Sequence, residues 1–170
     1  KSSEVQIGGT PLGGDNPIRV QSMTTTATTD TEGSVAQARR IVEAGGEYVR
    51  LTTQGVREAE NLRELNAGLR SQGIDTPLVA DVHFNARVAD VAALYAEKVR
   101  INPGNYNDRG GRFEELIDLC RQRGVALRIG VNHGSLAKKI FDLYGDTPEG
   151  MAASAMEFLE RCRALDFHNV

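Results

Sequence analysis

The sequence predicts an α/β fold in which parallel strands form an incomplete (β/α) TIM-type barrel with the helices outside. Three observations predict it: strand and helix patterns alternate along residues 1–170, the breaks between them are short, and the strand segments carry polar side chains on one face only. Alternating strands and helices indicate a parallel sheet connected by right-handed crossovers. The alternative, an open doubly wound sheet, would be apolar on both faces.

The predicted elements are an N-terminal hairpin followed by about five strand–helix units. Segments 5–7 and 18–22 flank two glycine pairs, and they are expected to pair as the hairpin because no helix follows either glycine pair. Residues 29–32 have the spacing of a capping box and open a helix to residue 44. The remaining strands are expected at 48–52, 78–84, 99–102 and 127–132, and the helices at 56–70, 85–97, 113–123, 135–144 and 148–165.

Charge and composition limit the function classes. The formal net charge of −3 argues against a protein that binds nucleic acid or an anionic membrane through bulk attraction. No apolar run approaches the roughly 18 residues of a membrane span, and the N-terminus has no signal-peptide core. Cys120 and Cys162 stand far apart in helical patterns and are interpreted as core thiols of a reducing cytosol. Any anion site must therefore be local.

Polar residues recur on one face of five strand segments. Side chains alternate along a strand, so if Val49 and Leu51 face the helices, Arg50 faces the barrel interior. The same rule groups further residues on the inner face: Arg19 and Gln21, Asp81 and His83, Arg100 and Asn102, and Arg128, Gly130 and Asn132. The C-terminal rim of a barrel, where these segments end, is where barrel enzymes build their sites.

Three of the inward arginines would lie near a single acid. Arg50, Arg100 and Arg128 would bring three permanent charges together, and Asp81 is the acid that faces them. Burying an unpaired charge costs on the order of several kcal/mol, so an anionic ligand is favoured over a purely structural ion-pair cluster. Guanidinium groups bind phosphate through parallel charge-assisted hydrogen bonds. The sequence therefore predicts a phosphorylated ligand.

Further donors surround the predicted anion site. His83, Asn102 and Asn132 could add hydrogen bonds, and the turn 132–135, which ends at Ser135, is expected to open a helix whose N-terminal amides favour a phosphate oxygen. Asp81 and His83 are the candidates for a catalytic role, with their protonation roles left open. No metal ligands are expected in this chain.

Longer stretches carry a family resemblance. Residues 100–105 (RINPGN) and 128–135 (RIGVNHGS), supported by 20–24, 79–84 and 144–150, resemble 4-hydroxy-3-methylbut-2-enyl-diphosphate synthase, an iron–sulfur enzyme of the methylerythritol phosphate route to isoprenoids. The resemblance extends over essentially the whole chain, and His133 with residues 146–150 is similar to the large variant of the family. It implies a barrel like that of dihydropteroate synthase.

The resemblance also implies a substrate, a cofactor and partners. The substrate is 2-C-methyl-D-erythritol 2,4-cyclodiphosphate, which the whole enzyme reduces with electrons from a ferredoxin- or flavodoxin-type donor through a [4Fe-4S] cluster. Three cysteines and a glutamate of a separate C-terminal domain hold that cluster. The diphosphate-binding positions of the family correspond here to Arg50, His83, Arg100, Asn102, Arg128 and Asn132.

The resemblance implies a chain that is part of a longer protein. The family continues beyond the equivalent of Val170, so residues 1–170 are expected to be a substrate-binding partial barrel that is inactive alone. The whole enzyme is expected to be a homodimer in the bacterial cytoplasm, or in the plastid of a plant. The segment 107–111 is shorter than its counterpart in the large variant. Two alternatives stay open: a pterin-type transferase that binds a diphosphate leaving group, and a non-catalytic scaffold.

Overall fold

The computed structural model describes residues 1–170 and has five parallel strands in one sheet, in the order β1-β2-β3-β4-β5. This confirms the α/β prediction of strands connected by helices. The strands are β1 (Gln21–Met23), β2 (Tyr48–Thr53), β3 (Leu78–Val82), β4 (Lys98–Ile101) and β5 (Ala126–Ile129). The helices are α1 (Thr31–Glu43), α2 (Val56–Ser71), α3 (Ala86–Ala92), α4 (Arg112–Arg123), α5 (Lys138–Tyr144) and α6 (Pro148–Ala164).

The main core lies between the helices and the outer face of the sheet. It contains 29 buried residues, including Val49 and Leu51 of β2, Val99 of β4 and Phe113 of α4. Cys120 and Cys162 are free thiols inside this core, as the sequence predicted. Burial of this apolar surface is the main stabilising contribution to the fold, and it fixes which strand face points away from the helices.

A second, small core closes the N-terminal end of the inner face. Ile7, Tyr48, Val79 and Ala126 form this cluster, and Ile7 is completely buried. Ile7 lies in the N-terminal hairpin, which is therefore inserted against the first residues of the strands. The polar half of the inner face is thereby left at the C-terminal ends of the strands.

The N-terminal hairpin has a different second arm from the predicted one. Val5 forms an antiparallel bridge with Leu12, so the hairpin turns within residues 5–12. The segment 18–22 does not pair with Val5; its last residues enter β1, which is parallel to β2. The first glycine pair supplies the tight turn, with Gly8 at φ +54°, and the chain then crosses the barrel end to begin the sheet.

Three helix boundaries also differ from the predictions. Asp30, not the residue before it, caps α1 by accepting a hydrogen bond from the Gly33 amide. Helix α3 ends at Ala92 rather than near residue 97, because the following residues close into tight turns that lead to β4. Helix α5 begins at Lys138 instead of residue 135. No helix of the structure is long and apolar enough to cross a bilayer.

Candidate anion-binding site

An ion-pair cluster at the C-terminal ends of β2, β3 and β4 forms the centre of the candidate site. Asp81 of β3 accepts a hydrogen bond from Arg50 Nη2 at 2.6 Å and one from Arg100 Nη1 at 2.8 Å. Asp81 and Arg100 are almost completely buried, whereas Arg50 retains about a fifth of its side-chain exposure. The structure thus brings together two of the three predicted arginines on the one predicted acid.

Strand register explains this meeting. In a parallel sheet, paired residues face the same side, and the pairing aligns Thr52 with Asp81, Asp81 with Arg100, and Arg100 with Arg128. Arg50 lies one inward position closer to the N-terminal end of β2. The central acid is therefore flanked by a guanidinium from each neighbouring strand.

The same cluster sets the pKa of Asp81. Burial of the carboxyl alone would raise its pKa, but the hydrogen bonds and charges of Arg50 and Arg100 outweigh burial and lower the pKa below its usual range. Asp81 is therefore a carboxylate at neutral pH. His83 Nε2 lies 3.5 Å from the same Asp81 oxygen that Arg50 uses, so the imidazole adjoins the cluster.

Arg128 of β5 lies on the same face of the sheet as Arg100 and has no counter-ion. No carboxylate lies within 4 Å of its guanidinium, and its side chain is exposed. Desolvation and the positive charges of Arg50 and Arg100 lower its pKa, although a guanidinium keeps its proton at any ordinary pH. Arg128 is thus available to a ligand that enters the mouth from the C-terminal side.

Lys98 is a fourth inward cation that the strand analysis did not single out. Register aligns it with Val79 of β3, and Val79 with Arg50 of β2, so the lysine and Arg50 occupy one row. The signal was present: Lys98 stands two positions before Arg100, and side chains two apart on a strand share a face. The strand predicted from the sequence began at Val99, one residue too late, so it did not include Lys98.

Asn102, Ser135 and Asn132 join the two loops that follow β4 and β5. Asn102 Nδ2 donates to Ser135 Oγ at 3.0 Å, and the Ser135 hydroxyl donates to the Asn132 carbonyl at 3.2 Å. With its amide oriented to satisfy its neighbours, Asn132 accepts from Arg100 Nη2 at 3.3 Å. These hydrogen bonds hold the two loops together, and Asn102 is itself almost completely buried.

The turn that holds Ser135 is not the start of a helix, contrary to the sequence expectation. Gly134 has φ +79°, a left-handed conformation that interrupts helical backbone, and the Ser135 hydroxyl is committed to Asn132 and Asn102. The first helical residue is Lys138, and Ala137 gives no side-chain cap. The amides at 133–135 therefore do not form a helix N-terminus that could bind phosphate.

Gly130 makes room for Arg100. Arg100 Nη2 donates to the Gly130 carbonyl at 2.8 Å, and a Cβ atom at Gly130 would lie 2.1 Å from Arg100 Nε. A Cβ atom cannot approach a guanidinium that closely, so any side chain here would displace Arg100. The glycine is thus required by the close crossing of a charged side chain over β5.

The inner face has an excess of positive charge. Lys98 and three arginines face one carboxylate, which leaves three positive charges when the lysine is protonated, although the whole chain carries −3. Arg50 Nε is buried without any hydrogen-bond partner. Buried donors are nearly always paired, so the cluster leaves hydrogen-bonding capacity of Arg50 unused. The geometry leaves an excess of positive charge at the C-terminal ends of the strands.

The residues present do not fit an iron–sulfur cluster. No group of three histidine, cysteine or acidic side chains comes together in a geometry that could hold a metal. Cys120 and Cys162 are buried in the core, and burial raises the pKa of both thiols, to about 12 for Cys120 and about 11 for Cys162. Thiolate ligands need the opposite environment.

Fold and site together define a partial parallel β/α barrel whose inner face is cationic at the C-terminal ends of the strands. The family model described as the GcpE TIM-barrel domain matches residues 2–170. The chain belongs to this family.

Curated proteins similar to this chain share one enzyme name and differ in the electron donor that the name gives. A protein of Phocaeicola vulgatus, 4-hydroxy-3-methylbut-2-en-1-yl diphosphate synthase (flavodoxin), is 61% identical to all of this chain, which covers 31% of that protein. A chloroplastic Oryza sativa protein, named as the ferredoxin form, is 42% identical over 99% of the chain, which covers 26% of it. This chain thus spans about a third of the length of the relatives it matches.

Solved structures resemble the fold at low sequence identity. Dihydropteroate synthase from Vibrio fischeri aligns with 98% of this chain and 63% of that chain, with a TM-score of 0.63 and 13% identity. A truncated 3-deoxy-D-arabino-heptulosonate 7-phosphate synthase from Thermotoga maritima covers 91% of this chain and 54% of that chain, with a TM-score of 0.56 and 14% identity. These likenesses confirm the barrel-type fold, including its similarity to dihydropteroate synthase.

Proposed function

We propose that this barrel binds 2-C-methyl-D-erythritol 2,4-cyclodiphosphate in an enzyme that reduces it to 4-hydroxy-3-methylbut-2-enyl diphosphate for isoprenoid biosynthesis. The relatives' names supply the product, and the cationic mouth supports a diphosphate substrate. The single observation that carries the proposal is the set of under-compensated cations around Asp81.

Each residue has a distinct part in this proposal. Arg50 and Arg128 bind phosphate oxygens directly, since the Arg50 side chain is partly exposed and Arg128 is exposed without a counter-ion. Arg100 is held by Asp81 and Gly130, so it offers its remaining N–H groups in a fixed direction. Charge-assisted hydrogen bonds from guanidinium groups fix both the position and the orientation of the diphosphate.

His83 and the polar residues of the two loops complete the proposed ligand-binding site. His83 lies beside Asp81 with about a quarter of its side chain exposed, so its imidazole can reach a ligand at the rim. Asn102 and Ser135 act chiefly on each other, and they position the two rim loops; Asn132 joins them to Arg100. Asp81 holds the Arg50 and Arg100 guanidinium groups in place and remains a carboxylate.

The reduction itself requires groups outside residues 1–170. In the proposed enzyme a [4Fe-4S] cluster supplies the electrons, and a flavodoxin- or ferredoxin-type protein delivers them, in keeping with the names of the relatives. The residues described here bind and orient the substrate. The isolated chain is expected to bind without turnover. A homodimeric whole enzyme, in the bacterial cytoplasm or a plastid, also remains part of the proposal.

Calorimetric titration of the complete protein with the cyclodiphosphate tests the proposal. Arg50→Ala, Arg100→Ala and Arg128→Ala are each expected to weaken binding by about 1.5–3 kcal/mol, the worth of a charged hydrogen bond. Arg39→Ala is the matched control, because Arg39 is an exposed residue on the outside of the barrel beside Glu43. Losses below about 0.5 kcal/mol in all three mouth variants would contradict the proposal.

A second ligand discriminates the alternatives. A pterin-type transferase would bind a pterin diphosphate more tightly than the cyclodiphosphate, and a scaffold would bind neither. The similarity to dihydropteroate synthase concerns the fold alone, so the titration with both ligands decides between these functions.

A further inference from the structure

Lys98 is a buried cation for which the fold supplies no counter-ion. Only 7% of the residue is exposed, and no carboxylate lies within 4 Å of its ammonium nitrogen. Its one close electrostatic contact is the ring of Tyr48, whose centroid is 5.1 Å away. A cation–π contact contributes roughly 0.5–2 kcal/mol, less than the several kcal/mol that desolvation of an ammonium costs.

The surroundings of Lys98 are positive on three sides. Arg100 lies on the same strand, Arg50 shares its row on β2, and Arg128 lies on β5. Asp81 of β3 is already shared by Arg50 and Arg100.

No other neighbouring element brings an acid to Lys98. The hairpin side contributes apolar Ile7 and the Thr10 carbonyl, which already accepts from the Tyr48 hydroxyl. Burial raises the pKa of Tyr48, so the phenol stays neutral. Gln21, which β1 aligns with Tyr48, is uncharged. The inner face therefore holds this ammonium in place without compensating it.

We propose that Lys98 is a further ligand of the diphosphate, a point charge that contacts it from the inner face of the sheet at the level of Arg50. This inference rests on the proposed function. Lys98 is level with Arg50, and its long flexible side chain can extend from the Tyr48 ring toward the mouth. An anion with two negative charges would compensate the ammonium and one of the free guanidinium charges together.

The protonation behaviour of Lys98 gives the proposal a specific signature. Desolvation, with the charges of Arg128 and Arg50, lowers the pKa of Lys98 to about 8 in the unliganded protein. An anion that contacts the ammonium raises this pKa, so binding above pH 8 requires uptake of a proton. The affinity should then fall as the pH rises through 8, by up to tenfold per pH unit.

The test is calorimetry of the complete protein with the cyclodiphosphate between pH 7 and 9.5, where the ligand's own charge is constant. Lys98→Met should weaken binding roughly tenfold or more at pH 7 and abolish the fall above pH 8. Lys98→Arg, which stays charged, should restore affinity and also give a flat profile. Lys138→Met, at an exposed lysine paired with Asp142, is the control and should behave like wild type.

The outcomes separate this inference from the proposed function. If wild type binds the cyclodiphosphate and Lys98→Met binds it equally well at every pH, the Lys98 assignment is wrong and the function stands. A Lys98→Met variant that unfolds more readily but retains full affinity would identify a structural counter-charge instead, and it also overturns the inference. If wild type binds neither the cyclodiphosphate nor inorganic pyrophosphate, both proposals fail.

Discussion

Two ion-pair clusters in this chain, one around Arg161 and one around Asp81, differ in how their positive charge is compensated. Arg161 of α6 lies between two acids, with 2.5 Å to Asp108 and 2.7 Å to Glu114, and its guanidinium is 4.7 Å from the centre of the Phe113 ring. One cation thus meets two carboxylates and an aromatic face. Every favourable partner of this arginine comes from the chain itself.

At the C-terminal ends of the strands, cations outnumber carboxylates. Arg50 and Arg100 share the single carboxylate of Asp81, Arg128 has no acid within 4 Å, and Lys98 has none either. The same residue type is therefore saturated at one site and under-compensated at the other.

The pKa values record this difference. Burial alone would lower the pKa of Arg161, but its two acids outweigh burial and raise it, whereas desolvation and neighbouring cations lower the pKa of Arg128. A saturated cluster stabilises the fold, because its attractive terms are satisfied without a ligand. An under-compensated cluster costs stability until an anion binds, which is the usual signature of a binding site.

The largest contrast is expected from removing one acid in each cluster. Asp81→Asn leaves the buried guanidinium of Arg100 and the partly buried one of Arg50 without their carboxylate, so the free energy of unfolding should fall by about 3–5 kcal/mol. Asp108→Asn leaves Arg161 with Glu114, and it should cost only about 1 kcal/mol. Urea denaturation of both variants measures the difference. Equal losses would mean that the two clusters do not differ in compensation.

The stability difference between wild type and Asp81→Asn should depend on pH in a defined direction. The pKa of Asp81 is lowered in the folded state, so its contribution to stability is present above its unfolded pKa and is lost as the pH falls through the folded value. Wild type should therefore lose more stability in acid than Asp81→Asn does. Denaturation at pH 7 and in mildly to strongly acidic buffer, for both proteins, checks this expectation.

Gly130→Ala tests the arginine whose geometry is most tightly fixed. A Cβ atom at this position meets Arg100 Nε, so Arg100 must leave its place between Asp81 and the Gly130 carbonyl. We expect ligand binding to weaken by roughly 10–100-fold, as for loss of a charged hydrogen bond. Gly9→Ala is the control, since nothing lies within 4 Å of a Cβ atom there.

Lys98→Met should stabilise the unliganded protein while it weakens binding. Because the folded pKa of Lys98 is lowered to about 8, its charging penalty is fully present below pH 8 and is relieved as the pH rises toward its unfolded value. The variant should therefore gain about 1–3 kcal/mol at pH 7 and progressively less at higher pH. A loss of stability at pH 7 would show that another group compensates the lysine.

The smallest effects should come from a pair of arginine substitutions that behave oppositely. Arg161→Met should lower stability by about 1–2 kcal/mol and leave ligand affinity unchanged, because its partners are structural. Arg128→Met should leave stability within about 0.5 kcal/mol of wild type and weaken binding. Thermal unfolding and titration of both variants measure the two properties; an Arg161→Met variant with weak binding would erase the distinction.

Much of the fold was predictable from local pattern. The alternation of strands and helices predicted the parallel sheet, and the two-residue period within each strand predicted that Arg50, Asp81, Arg100 and Arg128 face the interior. Thr147 followed by Pro148 predicted the start of α6. These features depend on residues close in sequence, where side-chain direction and backbone preference act directly.

Features that depend on pairing between distant segments were not predictable in this way. Strand period does not fix register, so the sharing of Asp81 by two arginines and the row that joins Lys98 to Arg50 appear only in the assembled sheet. Likewise, Val5 pairs with Leu12 rather than with the segment before β1.

The sequence by itself determined which side chains face the barrel interior and which family the chain resembles. Only the tertiary structure decided which charges compensate one another, where the Ser135 turn gives way to α5, and which cations are left without a partner. The physical reason is that a strand's own atoms set its side-chain directions, whereas the distances between charges on different strands depend on how helices and sheet pack together.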